Sequence, residues 1–210
     1  MSATAAAHAA SHSVARMPSH TGPANKRIVT GYGFWIFLLS DFVIFASLFA
    51  AFAVLVHNTN GGPGPHELFD LKSVAVETGA LLLSTYACGL ASIAAHRRSA
   101  VGFYLAMLVT AIFGAVFLGL EINEFYGFID KGAGPQRSGF LSAFFTLVGC
   151  HGLHVSLGML WLFTMIAQVF AKGFRDDIQR RILCFSLFWH ALDIIWVGIF
   201  TAVYLYGVYL

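Results

Sequence analysis

Residues 185–206 read FSLFWHALDIIWVGIFTAVYLY, and this stretch decides the fold. At about 1.5 Å of helical rise per residue it spans about 33 Å, enough to cross a hydrocarbon core of roughly 30 Å. His190 and Asp193 lie three positions apart and therefore on one helical face. An ionisable side chain near the bilayer centre costs about 2.5–3.5 kcal/mol. The pair therefore predicts a partner or a function inside the membrane.

The composition of the whole chain agrees with a membrane protein. Of its 210 residues, 58% are hydrophobic and only 10% are charged, whereas soluble domains carry about 25% charged residues. The net charge of +2 is small, so it indicates no nucleic-acid surface. The three cysteines have no CxxC spacing and lie in or beside apolar runs, which is typical of small core residues.

Five apolar segments are each long enough to span a membrane as a helix. We place them at residues 33–56, 74–95, 101–123, 140–170 and 183–210. The sequence thus predicts an all-α, polytopic membrane bundle of five transmembrane helices within residues 31–210. Residues 1–30 are rich in Ala, Ser and His and contain no continuous apolar core. We interpret them as a disordered cytoplasmic tail, with a weak metal-binding tract as the alternative.

The distribution of Lys and Arg predicts the orientation of the bundle. Basic residues favour cytoplasmic loops, and most of them fall before the first segment or in two of the loops: Arg16, Lys26, Arg27, Arg97, Arg98, Lys172, Arg175, Arg180 and Arg181. The other side has only Lys72, Lys131 and Arg137 of the 12 in the chain. The amino terminus is therefore predicted to be cytoplasmic and the carboxyl terminus external.

Three buried polar residues are expected at comparable depth. Asp41 in the first segment lies about 12 Å from its cytoplasmic end, and His190 and Asp193 lie at a similar depth in the fifth. One hypothesis is a hydrogen-bonded tie between the first and fifth helices. The other is a site that handles protons or binds a lipid headgroup, and the sequence leaves both open.

The third segment ends in two carboxylates. Glu121 is expected inside the membrane as a polar end contact with another helix, and Glu124 at the membrane interface. Ala111, Ala115 and Gly119 repeat every four residues, which predicts a surface for close helix packing.

His151 and His154 lie near the middle of the fourth segment, three positions apart. Two histidines on one helical face raise the hypothesis of a metal or haem site. A bis-histidine haem needs a second histidine on another helix at matching depth, and His190 is too close to its cytoplasmic end. Interior histidines that donate to carbonyls or carboxylates are the favoured interpretation, and we predict no metal ligand in this chain.

Four motifs together resemble subunit III of the haem–copper oxidases over nearly the whole chain after about Gly31. They are GFWIFLLSDFVIFASLFAAFAVL (33–55), FLGLEINEF (117–125), FFTLVGCHGLHVSLGMLWL (144–162) and FWHALDIIWVGIFTAVYLYG (188–207). The HGLHV and WHxxDxxW signatures are specific when they occur in this order. Five helices rather than seven resemble the subunit III of the cytochrome o ubiquinol oxidases.

The resemblance implies a non-catalytic subunit of a proton-pumping quinol:O2 oxidoreductase in the bacterial inner membrane. Haem and copper would be held by subunit I, which this chain would contact directly, together with subunit II and with or without a small fourth subunit. The resemblance also implies bound phospholipid and support of proton uptake in aerobic electron transport. Asp41, Glu121, His151, His154, His190 and Asp193 match polar motif positions of the family, as lipid-binding or structural sites.

Three alternatives stay open, two of them from other classes of protein. Subunit III of a cytochrome c oxidase would share the same motifs. An independent transporter would show internal repeats or helices broken by Gly and Pro at midplane, and the sequence has neither. A membrane-embedded enzyme would need a nucleophile motif or an HExxH pair, and both are missing from the sequence.

Overall fold

The computed structural model describes residues 26–209, apart from the side chain of Glu67. Its helices are α1 (Lys26–Leu55), α2 (Pro65–Leu68), α3 (Leu71–His96), α4 (Ala100–Asp130), α5 (Gly139–Lys172), α6 (Asp176–Ile199) and α7 (Tyr206–Tyr209), with a π-helical segment (Phe200–Leu205) between the last two. Five helical stretches are long and apolar enough to cross a membrane, the fifth running continuously over Asp176–Tyr209. The prediction of an all-α bundle with five transmembrane helices is confirmed.

Polar residues cap the starts of three of the helices. Asp70, Ser99 and Ser138 precede α3, α4 and α5, and each side chain accepts a hydrogen bond from a backbone N–H of the first turn. Such caps satisfy donors that the helix itself leaves unpaired. Residues 26–30, which we assigned to the tail, form the first turns of α1. The rest of the predicted tail, residues 1–25, lies outside the described residues.

The bundle is organised around α6, which packs against α1, α3 and α5. α3 and α4 pack closely along their length and are joined by the tight turn of residues 97–99. α6 contributes the largest buried side chains, Trp189 and Trp196. α1 packs mainly against α5 and α6, so it lies at the periphery of the bundle.

Glycine residues on α4 and α5 make room for the indole of Trp189. A Cβ at Gly158 would lie 2.9 Å from Trp189 Cζ3, and a Cβ at Gly114 would lie 3.2 Å from Cζ2. The predicted packing surface of Ala111, Ala115 and Gly119 is wrong within this chain. Only Ala111 is buried, and nothing lies within 4 Å of a Cβ built at Gly119. The helix contact uses the neighbouring face of α4 because that face meets Trp189.

Three hydrogen bonds connect α6 with α3 and α4. Trp189 Nε1 donates to Ser84 Oγ at 3.2 Å, and Ser84 Oγ donates to the backbone oxygen of Thr110 at 2.9 Å. Trp196 Nε1 donates to Thr78 Oγ1 at 3.0 Å. Inside a membrane such bonds satisfy groups that lipid could not.

The two ends of the bundle differ in charge and in backbone. We call one end the basic end; it contains the start of α1 and the turns at residues 97–99 and 173–175. The other, the loop end, contains α2, α7 and residues 131–138. There Gly207 lets the terminal helix approach α2, since a Cβ at this position would lie 3.3 Å from Pro65 Cβ.

Candidate functional site

Asp41 and His154 lie on the facing sides of α1 and α5. Asp41 is half-buried and within electrostatic reach of Cys150 on α5. The His154 ring packs on Phe45 of α1, with 5.2 Å between ring centroids. Its Nδ1 lies 2.7 Å from the backbone oxygen of Cys150, so this nitrogen is occupied within its own helix. These contacts connect α1 with α5.

His151 lies one turn away in a wholly aromatic environment. Its ring is fully buried and contacts Phe117 of α4 at 5.8 Å, Trp196 of α6 at 5.2 Å and Phe45 at 6.2 Å between centroids. Neither ring nitrogen has a hydrogen-bond partner within the described part of the chain. The prediction that this histidine donates to a carbonyl or a carboxylate is therefore not met in the structure.

His190 and Asp193 face α3. A Cβ built at Gly89 of α3 would lie 3.9 Å from His190 Nε2, and His190 Nδ1 lies 2.7 Å from the backbone oxygen of Ser186. Asp193 is buried and interacts with Thr85 of α3 and with His190. Asp193 Oδ1 and Thr85 Oγ1 each lack a hydrogen-bond partner among the described residues.

The predicted tie between the first and fifth helices is therefore wrong in its partners. Counted from the helix starts at Lys26 and Asp176, Asp41 and His190 do lie at similar depths of about 21–23 Å. Depth along the axis does not decide the neighbour, however. The Asp41 side chain lies within electrostatic reach of α5, whereas His190 and Asp193 face α3.

Glu121 is buried between α4 and α5, with 2% of its surface exposed. Its carboxylate lies over Gly152 of α5, where a Cβ would lie 2.6 Å from Oε1 and 2.8 Å from Oε2. Any side chain at position 152 would thus occupy the space of the carboxylate. The predicted contact of Glu121 with another helix is present, and Gly152 is the residue that permits it.

Two further glutamates join Glu121 in what we call the carboxyl cluster, defined as Glu77, Glu121 and Glu124. Glu77 of α3 is fully buried, and electrostatic interactions link it with both glutamates of α4. Glu124 is half-buried and accepts a 2.7 Å hydrogen bond from the Tyr204 hydroxyl. The expectation that Glu124 lies at the membrane interface stays a prediction, and the sequence analysis missed Glu77.

The four carboxylate oxygens of Glu77 and Glu121 have no hydrogen-bond partner among the described residues. Two unpaired charges in a low-dielectric interior would be costly, because burial removes their hydration without supplying a counter-charge. The cluster lies about 9 Å from the start of α3 and about 9–14 Å from the end of α4. It is thus embedded in the bundle, near the loop end.

A cavity of about 190 Å³ lies between Glu124 and the surface of the loop end. Glu124 and Ser73 line it, and its rim is formed by the exposed residues Asp70, Asn123 and Lys131. Glu124 is the only member of the cluster that lines this cavity. It therefore lies between the exposed rim and the two deeper glutamates.

A metal or haem site would need ligands that converge from different helices. Between residues 26 and 209, no three His, Cys, Asp or Glu side chains converge in a geometry that would hold a metal ion. Nδ1 of both His154 and His190 lies 2.7 Å from a carbonyl oxygen of its own helix. The His151 ring is enclosed by aromatic side chains.

A separate apolar groove of about 520 Å³ runs between α3 and α4 towards the basic end. Its walls are apolar and aromatic, and Arg97 and Ser99 close its end at the α3–α4 turn. The walls are Leu83, Tyr86, Leu90, Leu105, Val109 and Phe113, with smaller residues between them. This combination of an apolar trough and a terminal guanidinium suits an amphipathic anion.

The chain is similar in sequence to known proteins over most of its length. The family model described as cytochrome c oxidase subunit III matches residues 10–208. The chain is 52% identical over 179 residues to the cytochrome bo(3) ubiquinol oxidase subunit 3 of Pseudomonas aeruginosa, which covers 85% of each chain. It is 42% identical over 175 residues to the protein of the same name from Buchnera aphidicola, covering 83% of this chain and 90% of the relative.

A relative from a different bacterial group is similar over an even larger share of the chain. The quinol oxidase subunit 3 of Bacillus subtilis is 40% identical over 202 residues, which covers 96% of this chain and 97% of the relative. All three relatives carry names of quinol-oxidising enzymes, although the family model is named after cytochrome c oxidase.

Proposed function

The chain belongs to the cytochrome c oxidase subunit III family, and from this membership we propose that it is the non-catalytic subunit III of a proton-pumping haem–copper quinol oxidase. The observation that carries the proposal is the high identity, over most of the chain, to proteins named as quinol oxidase subunits 3. The chain is thus a component of an oxidase complex in a membrane. Cytochrome c oxidase subunit III is the less favoured reading.

The geometry supports an accessory role rather than a redox role for this chain. Among the described residues, no three His, Cys, Asp or Glu side chains converge in a geometry that would hold a metal ion. We therefore propose that haem and copper are held by a partner subunit I that contacts this chain, together with a subunit II. This chain would stabilise the complex and support its proton uptake.

Purification through a tag on this chain tests the proposal. We expect haem absorbance, quinol oxidase activity and two larger polypeptides to copurify, and the isolated chain to be colourless. A haem spectrum from the isolated chain would contradict it. A copurifying subunit II with a dinuclear copper centre, together with cytochrome c oxidation, would favour the cytochrome c alternative.

We further propose that the basic end faces the cytoplasm of a bacterial cell and the loop end faces outward. The support is the excess of Lys and Arg at the basic end. The test uses a reporter enzyme that is active only outside the cytoplasm. Fused after Leu210, the reporter should be active, and fused in the α3–α4 turn it should be inactive. The reverse pattern would overturn the orientation.

The groove between α3 and α4 favours phospholipid as a ligand of this subunit. Its apolar walls fit an acyl chain, and Arg97 at its end fits a phosphate, which guanidinium groups bind with paired hydrogen bonds. Arg97→Gln should lower the phospholipid phosphorus that copurifies with the complex. Arg137→Gln, which changes an exposed arginine of the loop end, is the control. Equal phospholipid in both variants would argue against this site.

A further inference from the structure

We propose that the carboxyl cluster of Glu77, Glu121 and Glu124 is a proton-binding site that exchanges protons with the aqueous phase at the loop end. The proposal concerns this chain alone and does not rest on the oxidase assignment. Within an oxidase, the site would hold protons at the end opposite the basic end. Protons are the ligand proposed, and the cavity rimmed by Asp70 and Lys131 is their route.

The carboxyl cluster must accommodate negative charge in a buried position. Glu77 and Glu121 are 0% and 2% exposed, and none of their four carboxylate oxygens has a hydrogen-bond partner among the described residues. The charged groups that interact with them are the other carboxylates of the cluster. Since like charges at short range repel strongly in a low dielectric, the site requires bound positive charge.

The arrangement of the carboxylates distinguishes a bound proton from a bound metal ion. A metal ion bound by carboxylates needs several of them converging at coordination distance. Over residues 26–209 no such convergence of three acidic, His or Cys side chains is found. A proton needs only one carboxyl oxygen, or two that share it. The arrangement therefore fits protons better than a metal ion.

The helices packed around the carboxyl cluster present few titratable groups to it. α5 presents Gly152 to Glu121, and its neighbour His151 is enclosed by Phe117 and Trp196. The terminal π-helical segment presents Tyr204, whose hydroxyl already donates to Glu124. The titratable groups around the cluster and its cavity are thus Tyr204, His151, Asp70 and Lys131. Lys131 lies at the rim, beside Glu124 rather than the deeper glutamates.

The position of Glu124 gives the route. It is the cluster member that lines the cavity, and it interacts with both Glu77 and Glu121. A proton that enters from the rim therefore meets Glu124 first and passes to the fully buried pair. The hydrogen bond from Tyr204 fixes one Glu124 oxygen and leaves the other for this exchange.

Infrared spectroscopy of the intact complex tests the site. A protonated carboxyl has a C=O stretching band above the amide I band, and this band shifts to lower frequency in D2O. We expect the wild-type complex at neutral pH to lose such a band in the double variant Glu77→Gln/Glu121→Gln. The control Asp130→Asn, which changes an exposed carboxylate at the same end of α4, should retain it.

Each outcome is decisive for the site. If the wild-type minus double-variant spectrum contains only ionised carboxylate bands, the cluster does not bind protons at neutral pH and the proposal fails. Should the double variant not assemble, Glu121→Asp keeps the acid, and a displaced C=O band supports the proposal whereas an unchanged spectrum overturns it. The haem spectrum of the same samples reports the oxidase assignment separately.

The route has its own test. Glu124→Gln should slow the H/D exchange of the Glu77 and Glu121 C=O band after dilution into D2O, because it removes the group between the rim and the buried pair. Asn123→Ala, which changes an exposed rim residue without a carboxyl, should leave the exchange rate unchanged. Equal exchange in wild type and Glu124→Gln would overturn the route through Glu124.

Discussion

The Tyr204 hydroxyl donates a 2.7 Å hydrogen bond to Oε2 of Glu124, a residue 80 positions earlier in the chain. The bond joins the π-helical segment to α4. Tyr204 is fully buried, and its ring packs on Phe69 with 4.8 Å between centroids. Since no water-facing surface is left to this tyrosine, Glu124 is the group that satisfies its hydroxyl. The carboxyl cluster is thereby coupled to the end of the last helix.

Tyr204→Phe should lower the stability of the subunit by about 1 kcal/mol, the usual net value of one such hydrogen bond. The ring contacts with Phe69 remain, so the loss reports the hydroxyl alone. Brief heating of the detergent-solubilised protein and immunoblotting of the soluble fraction measure it. Tyr206→Phe removes the hydroxyl of an exposed tyrosine nearby and should change nothing. Equal retention of the two variants would contradict the prediction.

Ser84→Ala should cost more, about 1–3 kcal/mol, because it leaves a buried donor without its partner. Ser84 accepts from Trp189 Nε1 and donates to the carbonyl of Thr110, so it connects α6, α3 and α4. Ser40→Ala is the matched control, since that exposed serine bonds only to the carbonyl of Phe37 in its own helix. In the same heating assay, much less of the Ser84→Ala protein than of the Ser40→Ala protein should stay soluble.

Two glycines that face Trp189 should respond differently to a methyl group. At Gly158 the added Cβ would lie 2.9 Å from Trp189 and 3.0 Å from Phe188, both rigid rings. At Gly114 the nearest atom is Met159 Sδ at 2.9 Å, the flexible part of a methionine. In the heating assay, we therefore expect the Gly158→Ala protein to leave the soluble fraction at a lower temperature than the Gly114→Ala protein. A reversed order would show that Trp189, and not Met159, adjusts.

The five-helix fold could be predicted because apolar runs of this length have few stable forms in a membrane. A spanning segment must satisfy its own backbone, and helices do so. Not every helix end could be read from hydropathy. The starts of α4 and α5 lie within one residue of the predicted apolar runs, but α1 begins seven residues before its run and α4 continues seven residues beyond its run to Asp130. The π-helical segment is likewise hidden, because residues 200–205 look like any other part of the last span.

The candidate site was predicted only in part, and the missing parts have different reasons. Counting residues gives depth, so Asp41 and His190 were placed at similar levels. Lateral position depends on how all helices rotate and pack, so the partner of Asp41 was wrong. Glu77 could have been found. It belongs to the buried stripe of α3 formed by Val74, Glu77, Leu81, Ser84 and Cys88, which repeats every three to four residues.

Gly152→Ala should strain the contact between α4 and α5 at the carboxyl cluster. The new Cβ would lie 2.6–2.9 Å from the three carboxyl atoms of Glu121, and overpacking of this kind costs about 1–3 kcal/mol. Gly119→Ala is the matched control, because no atom lies within 4 Å of its Cβ, and alanine favours a helix by up to about 1 kcal/mol over glycine. Glu121→Asp shortens the side chain by one methylene, so the double variant Gly152→Ala/Glu121→Asp should retain more protein after heating than Gly152→Ala alone. If the double variant is instead as unstable as the sum of the two single variants, the methyl group acts on the backbone and not on the Glu121 carboxylate.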